Sequence, residues 1–225
     1  VVYAFETFVL EEENEFGGQT IEYNEPDQGI LRGVIRYGND NKKIVEEKEF
    51  GEKFVLLYGV KKEISHYFFD TRIRCEKQYA MWYSNQYLIQ KMIQHFERGT
   101  GILERVENIF SASYLGKNTI YYKNGIRNRI EWMYPKKRKG ILKQIDYFDE
   151  TGNIKNQVEY FYTDRAVDDQ GFFRKTYFLE YGQKVKEIRY YSQEFGEERQ
   201  GLDYRIDRFF YHPEKEVEVR TTYFD

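Results

Sequence analysis

Hydrophobic and polar residues alternate along much of this chain, and turn-forming residues interrupt the alternation at short intervals. An alternation with a period of two residues is typical of a β-strand that is covered on one face. The last strand segment, residues 216–224, shows it most clearly. Its two sides are Val217, Val219, Thr221, Tyr223 and Glu216, Glu218, Arg220, Thr222.

Aromatic residues recur at the ends of these segments from Thr119 onward, and several neighbours are about 13 residues apart. One strand plus one turn has this length, so the spacing predicts an antiparallel meander. Asn124-Gly125 is the strongest turn signal, because both residues accept the positive φ of a type I′ turn. The recurring aromatic groups are Tyr121-Tyr122, Tyr134, Tyr147-Phe148, Tyr160-Phe161-Tyr162, Tyr177-Phe178, Tyr190-Tyr191, Phe209-Phe210-Tyr211 and Tyr223-Phe224.

The N-terminal third repeats the pattern less regularly. Residues 1–16 fit either a strand or a helix, and we favour a strand. Residues 51–53 read as a tight turn, and residues 54–58 read as the strand that follows it.

Residues 85–98 are the exception to the strand pattern. Asn85 can cap a helix, and Gly99 and Gly101 can end it. The segment therefore predicts an amphipathic helix that covers a sheet face; a partner-binding helix and a further strand are the alternatives. Its apolar positions at helical spacing are Leu88, Ile89, Met92, Ile93 and Phe96.

Together these elements predict a mainly β protein: an elongated antiparallel sheet of consecutive hairpins with one amphipathic helix packed on it. We expect a β-hairpin region at 1–84, a helical insert or linker at 85–118 and a hairpin-repeat region at 119–225. The three parts are expected to form one continuous domain.

Composition refines this expectation. Aromatic residues make up 19% of the chain and charged residues 32%, which favours a thin sheet covered by tyrosines over a thick apolar sandwich. The formal net charge of −3 is too small to indicate nucleic acid or an anionic membrane as a partner. A basic run, Lys136–Lys139, reads as a solvated loop between Pro135 and Gly140.

Candidate chemistry is sparse. The single cysteine, Cys75, rules out an internal disulfide and is expected to be buried. His66, His95 and His212 lack metal-ligand spacing, and the chain has no nucleophile elbow and no phosphate-binding loop. No apolar stretch is long enough to span a bilayer. We therefore expect no catalytic residues, no metal and no cofactor.

The segment YFDETGNIKNQVEYFY at 147–162 resembles one unit of the bacterial YwqK-type antitoxin and MORN-like repeat proteins, and residues 121–134 are similar in outline. The resemblance covers about the last hundred residues, without the Gly-Glu-Trp and His-Gly elements of eukaryotic MORN repeats. It implies a single-layer sheet of stacked hairpins that acts as a scaffold or binding surface, with no catalytic residues.

The function expected from this architecture is a non-enzymatic structural or interaction protein of a bacterial envelope, surface or flagellum-associated assembly. An antitoxin-like module for one protein partner is the first alternative. A carbohydrate-binding or carbohydrate-active protein that uses Trp82 and Trp132 is the second. The chain begins with Val1, so we expect that an N-terminal segment has been removed or is not covered, and a signal peptide is one such segment. The periplasm or cell envelope is slightly favoured over the cytoplasm as the location. The expected partner-binding residues are Tyr121, Tyr134, Tyr147, Tyr160, Tyr162, Tyr177, Tyr190 and Trp132.

Overall fold

The computed structural model describes residues 6–80, 89–111, 116–138, 141–161, 172–191, 204–212 and 215–224. The protein is mainly β, and within each of two compact units the described strands follow one another in the sheet in chain order, as expected for a hairpin meander. The chain divides into two compact units, Val1–Ser111 and Ala112–Asp225. The boundary falls within the segment 85–118.

The described residues of the first unit form eight strands and one short helix. Each strand pairs antiparallel with the next one in the chain. The strands are β1 (Glu6–Glu11), β2 (Gly17–Glu25), β3 (Ile30–Gly38), β4 (Lys43–Phe50), β5 (Val60–Phe68), β6 (Thr71–Tyr79), β7 (Ile89–Phe96) and β8 (Leu103–Phe110). Helix α1 (Glu52–Tyr58) lies between β4 and β5, and a 3-10 turn (Pro26–Gln28) joins β2 to β3.

In the second unit the described residues form eight strands, again paired antiparallel with their chain neighbours. They are β9 (Lys117–Lys123), β10 (Ile126–Arg138), β11 (Ile141–Phe148), β12 (Ile154–Phe161), β13 (Phe172–Glu180), β14 (Gln183–Tyr191), β15 (Tyr204–His212) and β16 (Lys215–Phe224). Because β10 continues to Arg138, the loop predicted from Pro135 is wrong up to that residue.

Buried residues lie on both faces of the first unit's sheet. Val34 and Ile93 are buried on one face, and Cys75 and Val106 are buried on the other. Cys75 has no exposed surface, which confirms the prediction for the thiol. Long charged and aromatic side chains cover these residues, since their stems are apolar while their ends stay wet.

The Asn124-Gly125 turn forms as predicted, with φ angles of 54° and 77° that join β9 to β10. Both central residues of a type I′ turn need this left-handed backbone, and Asn and Gly tolerate it best.

The helix predicted at residues 85–98 is wrong. Residues 85–88 lie outside the described part, and Ile89–Phe96 is strand β7, paired with β6 and β8. Ile93 lies buried between Glu76 and Glu107, whereas Met92 points to the opposite face and pairs with Lys77. A strand that is partly covered on both faces carries apolar residues at odd and at even positions. In β7 these positions together also matched the spacing of an amphipathic helix, and this led to the wrong prediction.

The one helix in the described residues lies instead where a turn and a strand were predicted, at Glu52–Tyr58. Gly59, with a φ of 75°, ends it by donating its backbone N–H to the Val55 carbonyl. The rings of Phe50, Phe54 and Tyr58 stack at spacings of four residues, with centroids 4.4 and 4.5 Å apart. These contacts stabilise the helix. A strand was predicted here because aromatic and β-branched residues favour strands by composition.

Candidate interaction face of the second unit

The register of the second unit sorts its side chains into rows, because directly paired residues point to the same face of a sheet. We name one surface the cation–aromatic face; it is formed by three rows. The first row is Tyr121, Arg129, Tyr147, Asn156, Phe178, Lys186, Arg208, Arg220; the middle row is Thr119, Glu131, Ile145, Val158, Thr176, Ile188, Ile206, Thr222; the third is Lys117, Met133, Lys143, Tyr160, Arg174, Tyr190.

The charge of the cation–aromatic face is one-sided. Its three rows contain seven basic residues and one acidic residue, Glu131. Glu131 is neutralised locally: its carboxylate lies 3.1 Å from Nη2 of Arg129 and 2.9 Å from Nζ of Lys143. These three rows are therefore net positive on a chain whose net charge is slightly negative, while Glu218 of β16 pairs with Phe210 in the next row.

Cations and tyrosines alternate within the outer rows and contact each other. The guanidinium carbon of Arg129 lies 4.0 Å from the ring centroid of Tyr121, and that of Arg174 lies 3.7 Å from the centroid of Tyr190. The Nε atoms of Arg129 and Arg174 are buried and donate no hydrogen bond to the described residues. Stacking on a ring thus holds each guanidinium, and in Arg129 the terminal Nη2 is already paired with Glu131.

On the opposite face, which we name the polar-network face, several carboxylates are buried and accept hydrogen bonds from neighbouring side chains. Asp146 is 6% exposed and accepts hydrogen bonds from Nε1 of Trp132 at 3.3 Å, Nε2 of Gln144 at 2.9 Å and Nε2 of Gln157 at 2.9 Å. Tyr134 is buried and donates its hydroxyl to Oε1 of Gln144 at 3.4 Å.

Two carboxylates further along the polar-network face, Glu187 and Asp207, are each 2% exposed and fully paired. Glu187 accepts from Nζ of Lys184 at 2.8 Å and from Nε of Arg189 at 2.5 Å. Burial alone would raise the pKa of Glu187, but these two cations outweigh burial and hold the pKa below its usual range. Asp207 behaves likewise, with Arg205 lowering its pKa.

Glu159 on the same face shows the opposite shift. Burial raises its pKa, and the hydrogen bond that Tyr177 donates to Oε2 at 3.0 Å offsets this only in part. The Tyr177 hydroxyl is correspondingly hard to ionise: burial and then the Glu159 charge raise its pKa. These shifts belong to a structural network, because each group already has an internal partner.

The predicted partner-binding residues are therefore divided between the two faces of the sheet. Tyr121, Tyr147, Tyr160 and Tyr190 come together on the cation–aromatic face, each half-buried. Trp132, Tyr134 and Tyr177 belong instead to the polar network of the other face. Tyr162 and Trp82 lie outside the described residues.

Sequence reasoning missed the basic residues that lie between the tyrosines, above all Arg129 and Arg174. In the sequence, Arg174 shares its strand parity with Thr176 and Phe178, and Tyr190 shares its parity with Ile188, which gives no sign that Arg174 and Tyr190 meet. The sequence does not give the register of the β13–β14 pair, which places Arg174 and Tyr190 side by side.

The first unit balances its charges within each face. Glu47 lies 2.7 Å from Nη1 of Arg36 and 3.1 Å from Nζ of Lys62. On the other face, the buried Glu46 accepts from the hydroxyls of Tyr23 at 2.9 Å and Tyr67 at 2.8 Å. Each of these two carboxylates is therefore paired on its own face of the sheet.

An apolar cleft of ≈ 730 Å³ lies beside α1, and its lining includes Leu31, Phe54 and Leu57. Leu31 and Leu57 are 68% and 60% exposed. Within the described part of the chain there is no cluster of three or more metal-ligating side chains. The same ranges contain no helix long and apolar enough to cross a bilayer.

No protein-family model matches the chain, and no curated protein matches it. The resemblance to YwqK-type and MORN-like repeats therefore stays a prediction.

Proposed function

We propose that this protein is a non-enzymatic scaffold that binds another protein through the cation–aromatic face of its second unit. The observation that carries the proposal is the alternation of half-exposed tyrosines with ring-stacked arginines on that face. Tyr and Arg are the residue types that most often dominate binding energy at protein interfaces. We place the scaffold in a bacterial envelope, surface or flagellum-associated assembly.

The polar-network face supports this role because its hydrogen bonds connect adjacent strands on the opposite side of the sheet. Hydrogen bonds from Trp132, Gln144 and Gln157 converge on Asp146 across three adjacent strands. Side chains held in this way present the opposite face with little freedom, and a rigid face loses less entropy when it binds.

The test is affinity capture from lysate of the source cells at moderate salt, with mass spectrometry of the bound proteins. Tyr147→Ala/Tyr160→Ala removes two rings from the centre of the face. The matched control is Tyr181→Asn, because Tyr181 is fully exposed at the tip of the β13–β14 turn, away from the face.

We expect the double variant to lose at least about tenfold of the specifically bound partner while Tyr181→Asn retains it. Equal retention by all three proteins would show that the face is not the binding surface. One small toxin-like protein as the partner would favour the antitoxin alternative over an assembly component.

A further inference from the structure

Two of the chain's three histidines lie in one row of the first unit's sheet. His66 of β5 pairs directly with Arg74 of β6, and Arg74 pairs with His95 of β7. His95 in turn pairs with Arg105 of β8. We name these four residues the histidine–arginine row. Directly paired residues point to the same face of a sheet, so four side chains that can each carry a positive charge lie side by side on four consecutive strands.

At pH 7 the two imidazole rings are neutral, and only the two arginines of the row are charged. Both rings are half-buried, and burial is the main reason why the pKa of each histidine lies below its ordinary value. The neighbouring arginines act in the same direction, because Arg74 lowers the pKa of His66 and Arg105 lowers that of His95. The neutral ring of His95 therefore separates two guanidinium groups, since it pairs with both.

Glu47 of β4 faces His66 and is already paired with two other cations. Its carboxylate lies 2.7 Å from Nη1 of Arg36 and 3.1 Å from Nζ of Lys62. The hydrogen bond from Arg36 holds the pKa of Glu47 below its usual range, so this carboxylate stays ionised in mild acid. Val45, which pairs directly with His66 on the same strand, carries no charge.

Glu76 of β6 lies diagonally opposite both histidines and is also paired. Its carboxylate lies 2.7 Å from Nζ of Lys91 and 3.3 Å from Nη2 of Arg74. Burial alone would raise the pKa of Glu76, but the hydrogen bond from Lys91 outweighs burial, and the pKa lies below its usual range. A charge that appears on either histidine therefore meets a carboxylate that already contacts two cations.

Glu107 of β8 contacts His95 directly. One carboxylate oxygen, Oε1, lies 2.9 Å from Nε2 of His95 and 3.4 Å from Nε of Arg105. The same oxygen therefore faces two cations once the ring is protonated. Three more charged side chains line a cavity of ≈ 400 Å³ beside His95, and all three are exposed, so solvent screens them. They are Glu97, Arg98 and Glu104.

We propose that the histidine–arginine row is a pH-sensitive element that loosens strands β5 to β8 when both histidines gain a proton. Protonation places four positive charges at directly paired positions, and like charges at such positions destabilise a sheet. The unfolded chain binds these protons more readily than the folded unit, because folding lowers both pKa values. The contribution of the row to stability is therefore complete above a pH of about 6.5, the ordinary pKa of histidine, and is lost as the pH falls below it. This element belongs to the first unit, so it goes beyond the binding face proposed for the second.

The test is hydrogen–deuterium exchange of the full chain at pH 7, 6 and 5, with mass spectrometry of the peptides that cover β5 to β8. Exchange rates are corrected for the intrinsic effect of pH. His66→Gln/His95→Gln removes both titrating rings and keeps polar side chains. Arg74→Gln keeps both rings and removes the charge between them. His212→Gln is the matched control, because His212 lies in β15 of the second unit.

We expect the protection of β5 to β8 to fall at least about tenfold from pH 7 to pH 5 in the native protein and in His212→Gln, but less than about threefold in His66→Gln/His95→Gln. Arg74→Gln should lose less protection than the native protein, because only burial then opposes protonation of His66. Each ratio is taken within one variant, so a variant that is less stable at every pH still reports on the row.

Three results would each overturn the proposal: no loss of protection in the native protein, a native loss in His66→Gln/His95→Gln, or a native loss in Arg74→Gln. The last result would show that burial of the rings acts without the row of charges. The single variants His66→Gln and His95→Gln carry the same test where the double variant does not fold. Each should lose less protection than the native protein, and a full native loss in both would contradict the proposal.

Discussion

Replacing Gly33 with Ala tests how the first unit is packed. Gly33 of β3 pairs directly with Tyr23 of β2, and the Tyr23 ring folds over it. A Cβ atom at position 33 would lie 2.2 Å from Cζ and 2.3 Å from Cε1 of that ring. Tyr23 is 6% exposed, and its hydroxyl donates to Oε1 of Glu46 at 2.9 Å. The ring therefore cannot move without losing both its burial and this bond.

The expected cost follows from these contacts. Overpacking of this kind costs about 1–3 kcal/mol, and a hydrogen bond to a charged group contributes about 1.5–3 kcal/mol. Ala is favoured over Gly in a strand by about 0.5–1 kcal/mol, which offsets a small part. We expect Gly33→Ala to lower the free energy of unfolding by about 2–4 kcal/mol.

The assay is urea denaturation of the Gly33→Ala, Tyr23→Val and double variants, followed by circular dichroism. Tyr23→Val removes the ring but keeps a residue that suits a strand. In that background Gly33→Ala meets no ring, and we expect it to stabilise the protein by about 0.5–1 kcal/mol. An equal loss in both backgrounds would refute the packing argument, because the effect would then not depend on Tyr23.

Three further predictions concern the second unit. Glu187→Gln should cost about 3 kcal/mol at pH 7, since it leaves Lys184 and Arg189 without a buried counter-charge. Because the folded-state pKa of Glu187 is lowered, this loss should shrink as the pH falls through that pKa in urea titrations, and a loss that is constant with pH would contradict it. Glu159→Gln should instead add about 1 kcal/mol at pH 7, because burial raises the pKa of Glu159 and makes its charge costly. That gain should vanish in acid, where the native side chain is protonated too; a variant less stable at pH 7 would contradict it. Tyr181→Asn should raise the free energy of unfolding by about 1 kcal/mol, since Tyr181 is fully exposed with a φ of 50° and the change recreates the Asn-Gly turn found at β9–β10. An unchanged or lower melting temperature would show that the left-handed backbone at residue 181 is not strained.

Strands and tight turns could be predicted from the sequence because both depend on local chemistry. Asn124-Gly125 shows this, since the same two residues that permit positive φ also fix the hairpin. The helix could not be placed in the same way. Val55 and its aromatic neighbours favour a strand by composition, and only the stacking of Phe50 on Phe54 and the stop at Gly59 reveal a helix.

The faces of the sheet could not be predicted, because they depend on where the register shifts. A bulge between Arg127 and Arg129 in the β9–β10 pair, and another between Phe178 and Leu179 in the β13–β14 pair, each change which residues face the same side. Lys184 and Lys186 have the same parity, yet Lys184 pairs with Glu187 on the polar-network face while Lys186 lies on the other. Counting residues from a turn therefore assigns faces wrongly beyond the first bulge.

The net charge of the chain is misleading because it does not take into account which face of the sheet each charged residue lies on. A value of −3 for the whole chain sums the charges of all its surfaces, so it does not reveal a single surface whose charge has the opposite sign. Once the register separates the faces, the basic residues of the polar-network face are matched by carboxylates such as Glu187 and Asp207. The three rows of the cation–aromatic face hold seven basic residues and one acidic residue, Glu131. A charged ligand responds to the charges within a Debye length of its own, so the charge of the surface that it meets, and not that of the chain, governs the attraction.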